Sequence, residues 1–384
     1  MKTKKMCAIL GNPSSFQGLL PLTENRPLDT LPFDCKYRLI DFPLSSIANA
    51  NVHSIFMVFN EGETRSVFDH IGGGKEWNLD SLQNRYFVYF YQDFFKQKAQ
   101  GLPYYASIID YLEKSESEYT VFMGSSMLCS IDLRAVLKTH QSQNNNITVV
   151  YKRMESDKIS TNSRIIQVDK EGNVTNLQGF EEIINKTEHL NLSMNIYIVQ
   201  TKWLIDQLVI GQNNGSSANL NEFLEERMTS TKTTAYEYTG YLSKIDDVNS
   251  YYQANMDMLD GKKFNALMYT KQKIYTKLKN EVPTYYSADS SVKNSQCATG
   301  CVIEGKLENS LVSRRTVIKK GAQVKGAIIM SNAQVSEDAV IEYAILDKNV
   351  IVKSGVKIIG TAKNPIVIQK NQVVEADIIG GNES

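Results

Sequence analysis

An excess of charge of either sign is absent: lysine plus arginine number 42 and aspartate plus glutamate 42 in 384 residues. With no net field the chain lacks the global attraction used by non-specific nucleic-acid and acidic-membrane binders, so any anion site has to be local. Cysteine is sparse and odd in number. Cys7, Cys35, Cys129, Cys297 and Cys301 show no disulfide-framework spacing, and the pair Cys297 and Cys301 lacks the further cysteines or histidines a zinc site needs, which leaves reduced structural thiols as the expectation. Long apolar runs are missing. The opening MKTKKMCAILGNPSS sets basic residues before an apolar stretch that stops at Gly11, Asn12 and Pro13, too short for a signal peptide, and nothing approaches the about 20 apolar residues of a membrane span. A cytoplasmic location is expected. The four histidines, His53, His70, His140 and His189, all precede Asn294.

What is present is enough sequence for two cores, with 42% hydrophobic and 22% charged residues. In the first two-thirds, short β-rich runs (MCAIL, HSIFMVF, YTVFMG, ITVVYK, NIYIV) alternate with stretches of helical spacing such as YYASIIDYLEKS and LRAVLKTHQSQ. This alternation predicts βαβ units and a mostly parallel sheet flanked by helices, with ligands in the crevice at the carboxyl ends of the strands. Residues Asp246 to Leu259 read as a helix closing this domain, which we set at 1–262, with a connector over 263–293.

From Asn294 to the end at Ser384 the texture changes to short β-branched pieces punctuated by Gly, Asn, Ser and Asp. Ala333, Ala339, Ile345 and Ile351 fall six apart, as do Ala344, Val350 and Val356, with an irregularity over Lys325 to Ser331. A six-residue period predicts one strand and one turn per face of a triangular β-helix.

Several strings then point the same way: NRPLDTLPFDCKYRLIDFPLSSIANANV (Asn25 to Val52), HIGGGKEWNLD (His70 to Asp80), SMNIYIV (Ser193 to Val199), GYLSKIDDVNSYYQANMDML (Gly240 to Leu259) and GCVIEGKLENSLVSRRTVIKKGA (Gly300 to Ala322). In order and spacing they resemble the ADP-glucose pyrophosphorylase (glucose-1-phosphate adenylyltransferase) family along almost the whole chain, most closely its non-catalytic, regulatory subunits. The resemblance implies an α/β fold, a Rossmann-like nucleotidyltransferase domain with a mixed, mostly parallel sheet, followed by a C-terminal left-handed parallel β-helix. It implies tetramers, and the conversion of ATP and glucose 1-phosphate to ADP-glucose and pyrophosphate for glycogen or starch.

That reaction gathers several negative charges around the α-phosphorus, so it depends on positioning and on neutralisation by Mg²⁺, basic side chains and backbone amides. Against the family pattern this chain is altered at each such position. The phosphate loop reads LGNPSSFQGLLPLT, with Gly11 and Gly18 but neither the arginine nor the glycine run of catalytic members. Leu28 stands in the place of a lysine, Ser125 in the place of a metal carboxylate, and Lys244 in the place of a second one. The sugar-phosphate string survives only as Gly179-Phe180-Glu181-Glu182-Ile183, without its lysine. No catalytic residue and no bound metal or cofactor is therefore expected in this chain, with Mg²⁺ belonging to a catalytic partner. Asp246 and Asp247 remain open as shifted metal ligands or as caps of the helix that follows.

Basic positions persist where the catalytic ones are gone. Lys36 and Arg38, with Arg314 and Arg315, match positions the resemblance assigns to a phosphate-bearing effector pocket, and planar guanidinium forks suit phosphate. Solvated surface charge or intersubunit ion pairs is the alternative. Gly72-Gly73-Gly74 reads as a turn rather than a phosphate loop, Trp77 as a core or interface anchor, and the aromatic run Tyr86 to Tyr91 as packing or subunit contact. With no histidine on the β-helix, an acyltransferase base is missing and the β-helix reads as a platform for assembly and regulation.

The expectation is thus a pseudoenzyme that joins a catalytic homologue in a heterotetramer and alters its activity allosterically, in answer to a phosphorylated metabolite, without nucleic acid or membrane as partner. Two rivals are an autonomous adenylyltransferase with divergent catalytic residues, and a binding or structural module unrelated to sugar nucleotides.

Overall fold

The computed structural model describes residues 6–11, 17–60, 64–81, 85–183 and 187–380. The chain packs as two units, one of Met1–Ser15, Phe42–Leu242 and Thr270–Tyr275, the other of Phe16–Asp41, Ser243–Tyr269 and Thr276–Ser384.

The first unit is built on one nine-stranded sheet: β1 (Met6–Gly11), β2 (Ser54–Phe59), β3 (Arg85–Phe90), β4 (Tyr119–Met123), β5 (Ile147–Glu155), β6 (Arg164–Val168), β7 (Val174–Gly179), β8 (His189–Gln200) and β9 (Thr233–Glu237). Strands β4, β1, β2 and β3 lie side by side and parallel. β1 and β4 are buried at every residue, which is why their sequences are continuous apolar runs rather than alternating ones. The other half is largely antiparallel: β8 pairs β4, β5 and β6, and β6 and β7 form a hairpin. The hairpin turn is set by Gly172 at φ +84° and by Asp169, whose carboxylate accepts from the Asn173 amide at 2.8 Å. The sheet is thus mixed. Helix Ala106–Ser115 is seated against it by Tyr111, whose hydroxyl reaches the carbonyls of Ala8 and Ser54 at 3.0 and 2.8 Å.

Helix Leu133–Gln143 buries a titratable group. His140 is 1% exposed; its Nδ1 lies 2.9 Å from Thr148 Oγ1, Nε2 has no hydrogen-bond partner among the described residues, and burial pulls its pKa down to about 4. A group depressed on folding contributes stability above its unfolded value, near 6.5, and that stability is lost as pH falls towards 4. Urea stability should therefore drop by roughly 3 kcal/mol between pH 6.5 and 4 through this residue, and His140→Gln should flatten that part of the profile. An unchanged slope would show that the histidine charges without penalty.

In the second unit, short strands stack into three parallel sheets, beginning at Tyr285–Tyr286 and ending at Ile378–Ile379: a left-handed β-helix. Val317 pairs Gln334 and Gln334 pairs Ile351, a spacing of about 17 residues per coil rather than three full hexads. The interior holds Ile303, Ile318, Val335, Val352, Ala333, Ala339, Ala344, Val350 and Val356. Two members of the six-residue series do not point in: Ile351 is half-exposed on an outer face, and Ile345 is fully buried yet outside the interior cluster. The shorter corners move them out of phase. One corner repeats Gly300, Arg315, Asn332, Asn349 and Asn371, all with positive φ, and the asparagines ladder side chain to side chain at 3.1 and 2.8 Å. Glycine and asparagine tolerate the left-handed region, which explains the punctuation seen in the sequence.

The three outer faces differ. One carries Lys306, Glu308, Gln323, Lys325 and Glu342. On another, Leu311, Ile328 and Ile345 are buried under the chain's own segments: Arg26 pairs with Asp347, and Tyr252, on helix Val248–Met256, donates to the Gly326 carbonyl at 2.6 Å. Residues 16–41 and 243–269 thus belong to the β-helix unit. No helix among the described residues is long and apolar enough to cross a membrane.

Candidate functional site

The positions that the resemblance sets against catalytic residues are taken up by packing. Gly11 ends β1, and a Cβ there would meet the Tyr91 hydroxyl at 2.5 Å and the Val58 carbonyl at 3.2 Å. At Gly18 a Cβ would meet the Asp246 carbonyl at 2.9 Å and Asp247 Cβ at 3.0 Å. Both glycines serve close approach of chain to chain; residues 12–16 of the loop lie outside the described residues. Leu28 is buried in the one-turn helix Leu28–Thr30, and Ser125 is buried in the first unit just after β4.

Lys244 settles the local electrostatics of its own segment. Its Nζ is 3.1 Å from Asp246 Oδ2, both side chains being largely buried; desolvation holds the ammonium below its ordinary pKa, against the attraction of Asp246 and Asp247. Asp247 is the N-cap of helix Val248–Met256, accepting from the Ser250 amide at 2.6 Å while the Ser250 hydroxyl accepts from the Asp247 amide. The carboxylates here are committed to an ammonium and a helix end. Mg²⁺ does not fit this set, since a divalent cation would share Asp246 with a resident positive charge. Glu182 folds back to accept from the Gly179 amide at 2.9 Å, and Glu181 is exposed.

The other motifs are structural. Gly72 and Gly74, at φ +55° and +81°, turn the chain after helix Arg65–Ile71, and Trp77 is 1% exposed in the core. Phe87 and Tyr89 of the aromatic run pack on Tyr111 and Phe56.

Of the four basic candidates, Lys36 and Arg314 line one cavity in the second unit, whereas Arg38 and Arg315 are not among its lining residues and act on Lys279 through charge. This cavity of about 450 Å³ is lined by Asp34, Lys36, Tyr37, Lys279, Gln296 and Arg314 among others. Lys279 sits below the ordinary lysine range through partial desolvation and the charges of Arg314 and Arg38. Lys348 is pushed down to about 7 by burial, then by Arg38 and Arg26, against Asp347. Lysines in a balanced ion network are pulled up. These two are pulled down first by burial and then by neighbouring cations, which outnumber the carboxylates beside them; cations gathered around a cavity are what an anion site requires. Glu281 offsets part of it, 3.5 Å from Arg314 and 2.8 Å from Arg315. Arg315, 60% exposed, is spent on that carboxylate, whereas Lys36 is exposed with its Nζ 5.5 Å from the Tyr37 ring centre.

Three members were missed in the sequence: Asp34, Lys279 and Lys348. Burial pushes the Asp34 carboxyl up to about 7, and its Oδ1 has no hydrogen-bond partner among the described residues. Lys348 was detectable by counting coils, for Asn332 donates to the Arg314 carbonyl, Asn349 to Ser331 and Asn371 to Lys348, so Arg314 and Lys348 occupy one corner two coils apart. At a rung spacing of about 4.8 Å that is roughly 10 Å.

Comparison with known proteins agrees with this architecture. A nucleotidyl transferase family model matches residues 17–261, and a model described as GlmU-like, C-terminal hexapeptide matches residues 282–378. The glycogen biosynthesis protein GlgD of Bacillus subtilis is 31% identical over 382 residues, covering 97% of this chain and 98% of that protein. GlgD of Geobacillus stearothermophilus is 30% identical over 83% of each chain. A glucose-1-phosphate adenylyltransferase of Clostridium perfringens is 27% identical over 92% of this chain and 90% of that enzyme. With both family models and the GlgD relatives spanning nearly the whole chain, the chain belongs to the GlgD-like branch of the glucose-1-phosphate adenylyltransferase family.

Proposed function

We propose that this chain is a non-catalytic, regulatory subunit of ADP-glucose pyrophosphorylase that joins a catalytic homologue in a heterotetramer and carries a binding site for a phosphorylated metabolite. The observation that carries the reading is the cavity of about 450 Å³ lined by Lys36, Lys279 and Arg314, with Lys348 two coils from Arg314 on the same corner: cations gathered around a space an anion can enter. Such a subunit acts only if its own binding free energy differs between the partner's states, and an anion that draws this cluster together supplies a difference. The names of the GlgD relatives support a place in glycogen biosynthesis.

Mixing tests this. A catalytic homologue from the same cell should change its saturation by ATP or glucose 1-phosphate when this chain is added, and sugar phosphates should shift that change. Arg38→Ala should remove the sugar-phosphate response while leaving association intact. A partner whose kinetics are indifferent to the chain would sink the proposal.

The site should also be proton-linked. Above pH 7 Lys348 loses its charge and Asp34 gains one, both changes opposing an anion; below pH 7 both reverse. Sulfate, which does not titrate in this range, should therefore bind roughly tenfold or more weakly at pH 8 than at pH 6, about 1.4 kcal/mol. Calorimetry in buffers of different ionisation enthalpy should register proton uptake on binding; a flat profile would place the anion elsewhere.

A further inference from the structure

Strand β3 is the end of the nine-stranded sheet, and its sequence, Arg-Tyr-Phe-Val-Tyr-Phe, is unusual for an edge. Exposed edges are normally blunted by proline, lysine, a bulge or a short length. Here six residues pair with β2 in unbroken register from Ser54–Arg85 to Phe59–Phe90, with no proline or lysine among them. The Arg85 amide donates inward to the His53 carbonyl, so by alternation the N–H and C=O groups of Tyr86 and Val88 point off the open edge. Among the described residues no strand pairs with that edge. The helices next to it, Arg65–Ile71 and Tyr91–Ala99, each leave one phenylalanine about half exposed, Phe68 at 47% and Phe95 at 48%, and the first is tied to β3 by the Tyr86 hydroxyl on the Gly72 carbonyl at 2.6 Å.

Charge indicates the occupant. Arg85 opens the strand and Asp93 lies three residues beyond its end; both are exposed, and neither makes an ion pair among the described residues. A strand with a cation at its start and an anion past its end is complementary to itself when reversed. We propose that β3 is the docking edge for a second copy of this chain, paired antiparallel about a two-fold axis at Val88. Tyr86 of each copy then faces Phe90 of the other and Phe87 faces Tyr89, and Arg85 of each copy comes beside the helix start that carries Asp93 of the other. Such an isologous contact joins the two sheets into one and satisfies the outward amides of both edges.

Sedimentation velocity of the full-length chain across about 1–50 µM tests it, with proline tolerated at an edge position whose amide faces outward. Wild-type protein should sediment as a dimer or an even multiple of one. Val88→Pro should halve the mass or weaken association at least tenfold. Arg85→Asp and Asp93→Arg should each weaken it, and the two together should restore it, an outcome that decides the matter even if the proline variant fails to fold by circular dichroism. A wild-type monomer throughout this range would overturn the proposal, as would single reversals that leave the mass unchanged or a double reversal that does not recover it.

Discussion

Incubated alone with ATP, glucose 1-phosphate and Mg²⁺, the purified chain is expected to form ADP-glucose at least about ten-thousandfold more slowly than a catalytic homologue. Loss of a single donor to the developing charge typically costs a hundred- to thousandfold. Here the resemblance places Leu28, Ser125 and Lys244 at three such positions, and the effects of groups acting as a unit do not multiply freely, so the figure is set below their product. The local structure supports it: Lys244 is held by Asp246 at 3.1 Å and Asp247 caps a helix, so neither carboxylate is available without breaking another contact. Restoring one acid by Ser125→Asp should leave the chain silent, because the ammonium of Lys244 remains. Product formation within a hundredfold of the homologue would instead establish an autonomous enzyme with displaced metal ligands. A radiometric assay of the isolated chain, free of any copurifying homologue, distinguishes the two.

The pattern of strands was legible because each buried strand of the sheet is a short apolar run, and the β-helix because its corners need residues that accept positive φ. The antiparallel half of the sheet was less so. The turn DKEGN between β6 and β7 signals a hairpin, but both strands have half-polar faces that give no clear run. The site divides in the same way. Arg38 and Arg314 are legible from the strings around them, whereas Lys279 and Lys348 matter only through neighbours distant in sequence, Arg38 and Arg314 for the first and Arg38 and Arg26 for the second. A linear pattern carries no such distances. The same reason hides the association of residues 16–41 with the β-helix, which rests on individual side chains that nothing in local sequence pairs.

Arg26→Met is expected to destabilise the protein by about 3–5 kcal/mol, the usual consequence of leaving one member of a buried ion pair without its partner. Arg26 and Asp347 are 6% and 3% exposed at the side chain, the guanidinium also donates to the Leu22 carbonyl at 3.0 Å, and 321 residues of chain separate the two partners. Removing the arginine strands a carboxylate against the β-helix, whereas Arg26→Met with Asp347→Leu removes both charges together and should recover most of the loss. Urea unfolding of the two variants separates the cost of an unpaired charge from the net worth of the pair. A second readout ties this pair to the anion site. Arg26 is one of the charges that hold Lys348 near 7, and Asp347 opposes it. Arg26→Met should therefore raise the Lys348 pKa and move the fall in sulfate affinity to higher pH, while the double variant, losing one charge of each sign, should move it less. A single variant that is as stable as wild type would show that the segment is held by its apolar contacts instead. One with an unmoved sulfate profile would show that Arg26 lies outside the electrostatic reach of the site.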